Sequence, residues 1–237
     1  METVGVADPF LAYRRARDGP GGVFFETTGG QPGWGYFAVD PVDRLTVNPN
    51  AVIADAVSAA DPPSDDHRTA PSLAALDGFL AGETLTRGEC DVPYPCGAFG
   101  WLSYDIAREL ESLDGSAVND RTLPRLQLAV YDCVAAWPEP REAPTTLRIT
   151  CCPRIPADAP QSTLDTMYDN AIDRALSLAA DAADGDSSIS APPVDATDAE
   201  FESEVGAAVF AERVRRVQEY VRDGDTFQTN LSQRLTA

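Results

Sequence analysis

Residues 224–237 read GDTFQTNLSQRLTA. Asp223, Gly224 and Asp225 supply a turn, and the alternation after it predicts a strand, because successive strand side chains point to opposite faces. Phe227, Leu231 and Leu235 then share one face, and Gln228, Asn230, Ser232 and Arg234 the other. Two readings of the polar face are open. A half-buried strand ordinarily turns its polar face to water. Yet Gln, Asn, Ser and Arg together offer several donors and acceptors on short or planar arms, a set suited to the wall of a site for a polar ligand such as a polycarboxylate.

Upstream, Phe210, Val214, Val217 and Val221 fall at helical spacing and mark one apolar stripe of a helix that ends at Gly224. One helix and one strand cannot close a core. The segment after about residue 190 therefore reads as the start of a second unit, set off by AADGDSSISAPPVDATDAE, a linker with two adjacent prolines.

The preceding region carries its own elements. Asp8 followed by Pro9 is an N-cap and first-turn pair for a short helix running toward Gly19-Pro20. GVFFET, Trp34–Val39 and RLTVNPNAVIAD, the last interrupted at Pro49, read as strands, and residues 55–70 as an acidic loop. Ser72 is expected to cap a helix bearing Leu73, Leu76 and Leu80. Strand-like runs return at Ala98–Tyr104, Leu126–Trp137 and Thr145–Cys152. A helix follows from about Thr163 to Asp181, with Leu164, Tyr168, Ile172, Ala175 and Ala179 facing inward.

Composition narrows the function classes. The chain has 38 acidic residues against 18 basic ones, a net charge of −20, and every basic residue is arginine. Such a surface repels nucleic acid and anionic membranes, so neither is an expected partner. It resembles proteins of salt-saturated cells, where molar salt shortens the Debye length to about 3 Å and screens the self-repulsion. Dialysis from molar salt into dilute buffer is accordingly expected to lose structure, and an unchanged circular dichroism spectrum would refute this. Cys90, Cys96, Cys133, Cys151 and Cys152 show no C-x-x-C spacing and read as reduced small hydrophobes; His67 reads as a loop bystander. With no basic leader or long apolar run at the first residues, the expected compartment is the reducing cytoplasm.

The run from Phe210 through VRRVQEYVRDGDTFQTNLSQRL resembles the opening of the chorismate-binding domain shared by aminodeoxychorismate synthase component I and anthranilate synthase component I. Val217, Glu219, Tyr220, Val221, Gly224, Asp225, Phe227, Gln228, Asn230, Leu231, Ser232, Gln233 and Arg234 carry the likeness. A second match, GAFGWLSYDIARELE at residues 97–111, is similar to the family's glycine-rich strand through Gly100, Leu102, Ser103, Tyr104, Asp105, Arg108 and Glu111.

The resemblance implies an α+β fold of antiparallel sheets packed on each other with peripheral helices: a component I amino-terminal domain over 1–190, and the incomplete start of the chorismate-binding domain over 191–237. It implies amination of chorismate with ammonia from a glutamine amidotransferase partner, and Mg²⁺ bridging substrate and protein carboxylates. The metal-binding glutamates, the active-site histidine and the lysine marking the aminodeoxychorismate branch belong to later motifs, so no catalytic residue is expected in this chain, and alone it is expected to be inactive. Asn230, within NLSQR, points to that branch, which forms 4-amino-4-deoxychorismate for p-aminobenzoate and folate; anthranilate synthase, with an apolar residue there, is the alternative. A non-catalytic module that docks on an amidotransferase is the alternative of another class. Gln228, Asn230, Ser232 and Arg234 would then line or position the substrate cavity. Glu26, Thr27, Trp34 and Tyr36 stand where the family helps hold tryptophan, but Gly33 replaces an arginine and Trp34 a smaller ring, so packing is the expected role.

Overall fold

The segment Cys133–Glu139 is buried at five consecutive positions, Cys133 to Trp137, because both faces of the sheet it joins are covered. In a computed structural model, which describes residues 1–19, 21–52, 70–113, 121–188 and 198–236, the chain divides into two units, Met1–Ser188 and Ile189–Ala237. His67 and most of the acidic loop and linker lie outside the described residues.

The first unit holds β1 (Glu2–Val6), α1 (Pro9–Ala16), β2 (Val23–Phe25), β3 (Gly33–Ala38), β4 (Asp43–Val47), α2 (Pro71–Leu80), β5 (Gly97–Leu102), β6 (Leu126–Tyr131), β7 (Cys133–Glu139), β8 (Thr145–Cys151) and α3 (Gln161–Asp184). A five-stranded antiparallel sheet runs β1-β8-β7-β3-β2, and a three-stranded one β4-β6-β5. Leu126–Trp137, legible as one apolar run, is two strands: Asp132 is the corner where the chain leaves one sheet for the other. Its carboxylate accepts a fork from Arg174 of α3 at 2.6 and 2.7 Å, the planar geometry that favours arginine for such pairs.

Alternation along the strands sorts the core into layers. Phe37, Cys133, Ala135, Trp137, Leu147 and Ile149 face α1 and α3, meeting Tyr13 and Ala175. Tyr36, Ala38, Val134 and Ala136 point the other way, against Ala129 and Tyr131 of β6, so the two sheets pack face to face. On the far side of the smaller sheet Leu45, Val47, Leu126 and Leu128 cover Ala75 and Leu76 of α2. This is an α+β arrangement of antiparallel sheets with helices outside.

Helix ends follow local chemistry. Asp8 Oδ1 accepts the Leu11 N–H at 2.8 Å, the N-cap bond that its sequence position predicts. Arg15 donates to the Ala183 carbonyl in the last turn of α3 at 2.6 Å, and Arg14 to that of Ser187 just beyond the helix, so the last turn of α1 supplies a cation to the end of α3. Along α3 the fully buried positions are Ala175, Leu178 and Ala182; Tyr168, predicted inward, is exposed, and Met167 is half-buried in the same turn.

Ser72 does not cap α2. The cap position is Ala70, which has no side-chain acceptor, and Ser72 is fully buried within the first turn. The acceptor comes from elsewhere in the chain: Glu109 receives the Ser72 N–H at 2.8 Å and its hydroxyl at 2.6 Å.

In the second unit α4 (Gly206–Asp223) ends on Gly224 with φ +82°, a left-handed conformation that glycine adopts without a Cβ penalty. Phe210, Val214 and Val217 are half-buried while most of the helix is exposed, so the predicted stripe is the inward face; Val221 at its end is exposed. The strand predicted over Phe227–Leu235 is not formed. Only Leu235–Thr236 (β10) enters a ladder, paired with the two-residue β9 at Glu202–Ser203. A strand needs a neighbour for its backbone groups, and among the described residues this short one is all that residues 227–236 have. Phe227 is 93% exposed and Leu235 is exposed, so neither is in a core here.

Candidate functional site

The polar residues near the carboxyl end occupy irregular backbone. Gln228, Asn230, Ser232 and Arg234 are all exposed. Arg234 pairs with Glu204 at 3.5 Å, and its carbonyl accepts the Glu204 N–H at 3.2 Å, which anchors this end of the segment to β9. The Gln228 carbonyl accepts the Thr226 hydroxyl at 3.0 Å. All four being exposed, they do not line an enclosed cavity among the described residues.

In the first unit a second set sits on β2 and β3. Register pairs Phe25 with Tyr36, which places Phe25, Trp34 and Tyr36 on the face between the sheets. Trp34 stacks beside Tyr36 with centroids 6.5 Å apart, and the Arg148 guanidinium lies 5.2 Å over the Trp34 ring. Such a cation over an aromatic face contributes on the order of 1 kcal/mol. Tyr94 and Phe99 complete the cluster at 5.9 and 6.4 Å from the Tyr36 ring. The Tyr36 hydroxyl is buried with no partner in good hydrogen-bond geometry, although the Tyr94 backbone faces it. Burial pushes the phenol above its ordinary range, since the charged form would lose hydration.

Glu26 and Thr27 turn elsewhere. Glu26 accepts from Arg141 at 2.7 Å, and this arginine also reaches Glu139 and Asp8, each at 3.4 Å. The Glu26 hydrogen bond is the main cause that raises the Arg141 pKa further. Thr27 donates its hydroxyl to the Trp34 carbonyl at 3.3 Å. A Cβ on Gly33 would lie 2.4 Å from that hydroxyl, so the glycine permits the approach. Of the four residues predicted at this place, the structure brings Trp34 and Tyr36 into one aromatic cluster and uses Glu26 and Thr27 as tethers.

Sequence reasoning did not select Tyr94, Phe99 and Arg148 as members of the cluster. Phe99 and Arg148 carry a signal, inward parity on β5 and β8, but it is usable only once register is known. The glycine-rich motif at 97–111 likewise acquires a local reason. Ser103 accepts the Asp105 N–H at 3.2 Å and Asp105 pairs with Arg108 at 3.1 Å, building a 3-10 helix over Tyr104–Glu109 that delivers Glu109 beneath α2.

The cysteines depart from expectation. Cys133 and Cys151 are opposed residues on β7 and β8 with Cα atoms 4.1 Å apart, and the structure joins them as a disulfide. The sequence spacing could not show this, because the pairing is set by cross-strand register. Cys90, Cys96 and Cys152 are free thiols. Among the described residues no group of three or more His, Cys, Asp or Glu side chains is placed to hold a metal ion. No helix among them is long and apolar enough to cross a membrane.

Comparison with known proteins gives a profile match to the family described as chorismate binding enzyme over residues 24–237. Anthranilate synthase component 1 1 of Haloarcula marismortui is 53% identical over 234 residues, covering 99% of this chain and 44% of the relative. Anthranilate synthase component 1 3 of the same organism is 50% identical over 235 residues, with 99% and 43% covered. Aminodeoxychorismate synthase component 1 of Escherichia coli is 28% identical over 148 residues, 62% of this chain and 27% of the relative. A solved structure, anthranilate synthase component I from Streptococcus pneumoniae TIGR4, aligns with a TM-score of 0.48 and 19% identity, covering 96% of this chain and 46% of that one. The chain thus spans less than half the length of the Haloarcula relatives. These identities overturn the branch expected from Asn230: relatives at 50% and 53% are anthranilate synthase components, and a single position does not outweigh agreement across the chain. With nearly all of its length matched, the chain belongs to the chorismate binding enzyme family.

Proposed function

We propose that this chain is part of a cytoplasmic anthranilate synthase component I, which aminates chorismate with ammonia from a glutamine amidotransferase subunit to form anthranilate for tryptophan biosynthesis. The observation that carries this reading is the 53% identity over 99% of the chain to a Haloarcula anthranilate synthase component, against 28% over 62% for an aminodeoxychorismate relative. The acidic, lysine-free composition fits an enzyme that works in concentrated salt. Mg²⁺, when bound, would neutralise substrate carboxylates; its ligands would come from residues other than those described.

Within the whole enzyme Gln228, Asn230, Ser232 and Arg234 form part of the wall of the chorismate cavity. Their amide, hydroxyl and guanidinium groups suit a dicarboxylate ring substrate, and the Arg234–Glu204 pair fixes one end of the row. These are positioning roles, with no proton transfer. Asn230→Val in the whole enzyme should lower chorismate turnover by on the order of 10²-fold, the scale of a misplaced substrate. The unfolding midpoint should hardly move, because the position is exposed. Unchanged turnover would reduce the row to a solvated segment.

Glu26, Thr27, Trp34 and Tyr36 serve packing, supported by the Trp34 ring lying inside the aromatic cluster and by the internal bonds of Glu26 and Thr27. Titration calorimetry with tryptophan should show no saturable uptake; saturable binding abolished by Thr27→Ala would refute the packing role.

The branch itself is tested by supplying the whole enzyme with chorismate and an ammonium salt in molar potassium chloride, then resolving the products by chromatography and mass. 2-Aminobenzoate is expected. Accumulation of 4-amino-4-deoxychorismate would overturn the reading.

A further inference from the structure

Two of the free thiols are brought together where the segment before β5 crosses the end of β8. Cys96 is the residue before β5 of the smaller sheet, and Cys152 is the residue after β8 of the larger one. The Cys152 sulfur lies 3.7 Å from the Pro95 carbonyl, which also accepts the Thr150 hydroxyl at 2.6 Å, so the 95–96 segment is seated on the end of β8. The Cys152 N–H is held by the Asp132 carbonyl at 2.6 Å, which ties the same spot to the corner between the sheets. Both cysteines are half-buried, and each thiol shifts the other's titration.

We propose that Cys96 and Cys152 form an oxidisable dithiol whose disulfide covalently joins the two sheets beside the aromatic cluster. Their interaction makes the two sulfurs unequal. The Cys152 thiol donates to the Pro95 carbonyl, and interaction with Cys152 holds Cys96 below the ordinary thiol range despite burial and the opposing carboxylates of Asp132 and Glu83. Cys152 is pushed up by that same interaction with Cys96, then by burial and by its thiol and carboxylate neighbours. Cys96 is therefore the attacking sulfur.

With a small-molecule disulfide as oxidant, the Cys96 thiolate attacks one of its sulfurs, forming a mixed disulfide and releasing one thiolate. Cys152 then loses its proton and attacks the Cys96 sulfur, closing the internal bond and releasing the second thiolate. Two protein thiols are oxidised and one exogenous disulfide is reduced to two thiols. The closed bond fixes the segment that carries Tyr94, and the start of the strand that carries Phe99, relative to β8.

The test is peptide mapping of the full chain in molar potassium chloride after exposure to oxidised glutathione and capping of residual thiols. The expected products are a Cys96–Cys152 peptide and an unfolding midpoint that rises and returns on reduction. Cys152→Ser should retain one glutathione on Cys96, at least tenfold faster than on Cys90, whereas Cys96→Ser should leave Cys152 unmodified. Mapping of the unsubstituted chain decides the pairing even if a variant misfolds. Cys152 bonded to Cys90, Cys133 or Cys151, glutathione favouring Cys152, or both thiols free after oxidation would each overturn the proposal.

Discussion

Replacing Glu109 with alanine is expected to destabilise the Met1–Ser188 unit by about 3 kcal/mol, the low end of what removing one partner of a buried ion pair costs. The Glu109 side chain is 3% exposed. It accepts the Ser72 N–H, the Ser72 hydroxyl and Arg125 at 2.8, 2.6 and 2.8 Å. Alanine would leave a buried serine without its acceptor, the first turn of α2 without a cap, and Arg125 without its carboxylate. The low end applies because Arg125 is partly exposed and water can take over some of its bonding. The carboxylate also faces the positive end of a helix dipole, which adds to its effect. Denaturant unfolding in molar potassium chloride reads the change. Ser72→Ala should cost about 1 kcal/mol, and the double variant less than the sum, since the two groups share one bond. A Glu109→Ala midpoint within error of the parent would mean that the network contributes nothing net.

Gly35→Ala should be comparably severe. Gly35 is opposite Trp137 in the β3–β7 ladder, and an added Cβ would lie 2.1 Å from two carbons of that indole. Trp137 is fully buried and its ring N–H donates to Glu139 at 2.6 Å, so the ring can yield only by disturbing packed neighbours or that bond. Overpacking costs about 1–3 kcal/mol, and a lost bond to a charged acceptor about 1.5–3 kcal/mol more. A loss of roughly 3 kcal/mol, with a changed near-ultraviolet tryptophan signal, is the expected result. Trp137→Phe in the Gly35→Ala background should recover part of it, because the smaller ring vacates the collision. Full additivity of the two changes would show that the Cβ meets something else.

Both positions mark where sequence reading reached its limit. The cap at Asp8 and the stop at Gly224 were legible because each acts on residues three or four away. Ser72 looked like a cap for the same reason, but its true partner arrives from 37 residues downstream, where the motif at 97–111 offered Glu111 as the match while burial selects Glu109. β1 is not legible in the sequence because ETVGV is short and its neighbour, β8, comes from the other end of the unit. The corner at Asp132 was hidden inside an apolar run, since a sheet covered on both faces erases alternation. The strand over 227–235 is absent for the complementary reason: its alternation is clear, but among the described residues its one two-residue partner cannot satisfy its backbone. At the candidate site, motif density was enough for the family, whereas the branch was assigned on Asn230 alone and needed the whole length to correct.

The pairing of β1 with β8 also has a temporal meaning. Glu2 lies opposite Ile149, so among the described residues the first strand of this unit is joined to the last one. At translation rates of about 5–20 residues per second, roughly 7 to 30 seconds pass between the emergence of one partner and that of the other. During that interval the β1 segment has no ladder, and α1 lacks the α3 end that Arg14 and Arg15 grip. The larger sheet is therefore completed by its oldest residues, and the β1 segment acts as a latch that closes only after the hairpin of β7 and β8 has been synthesised.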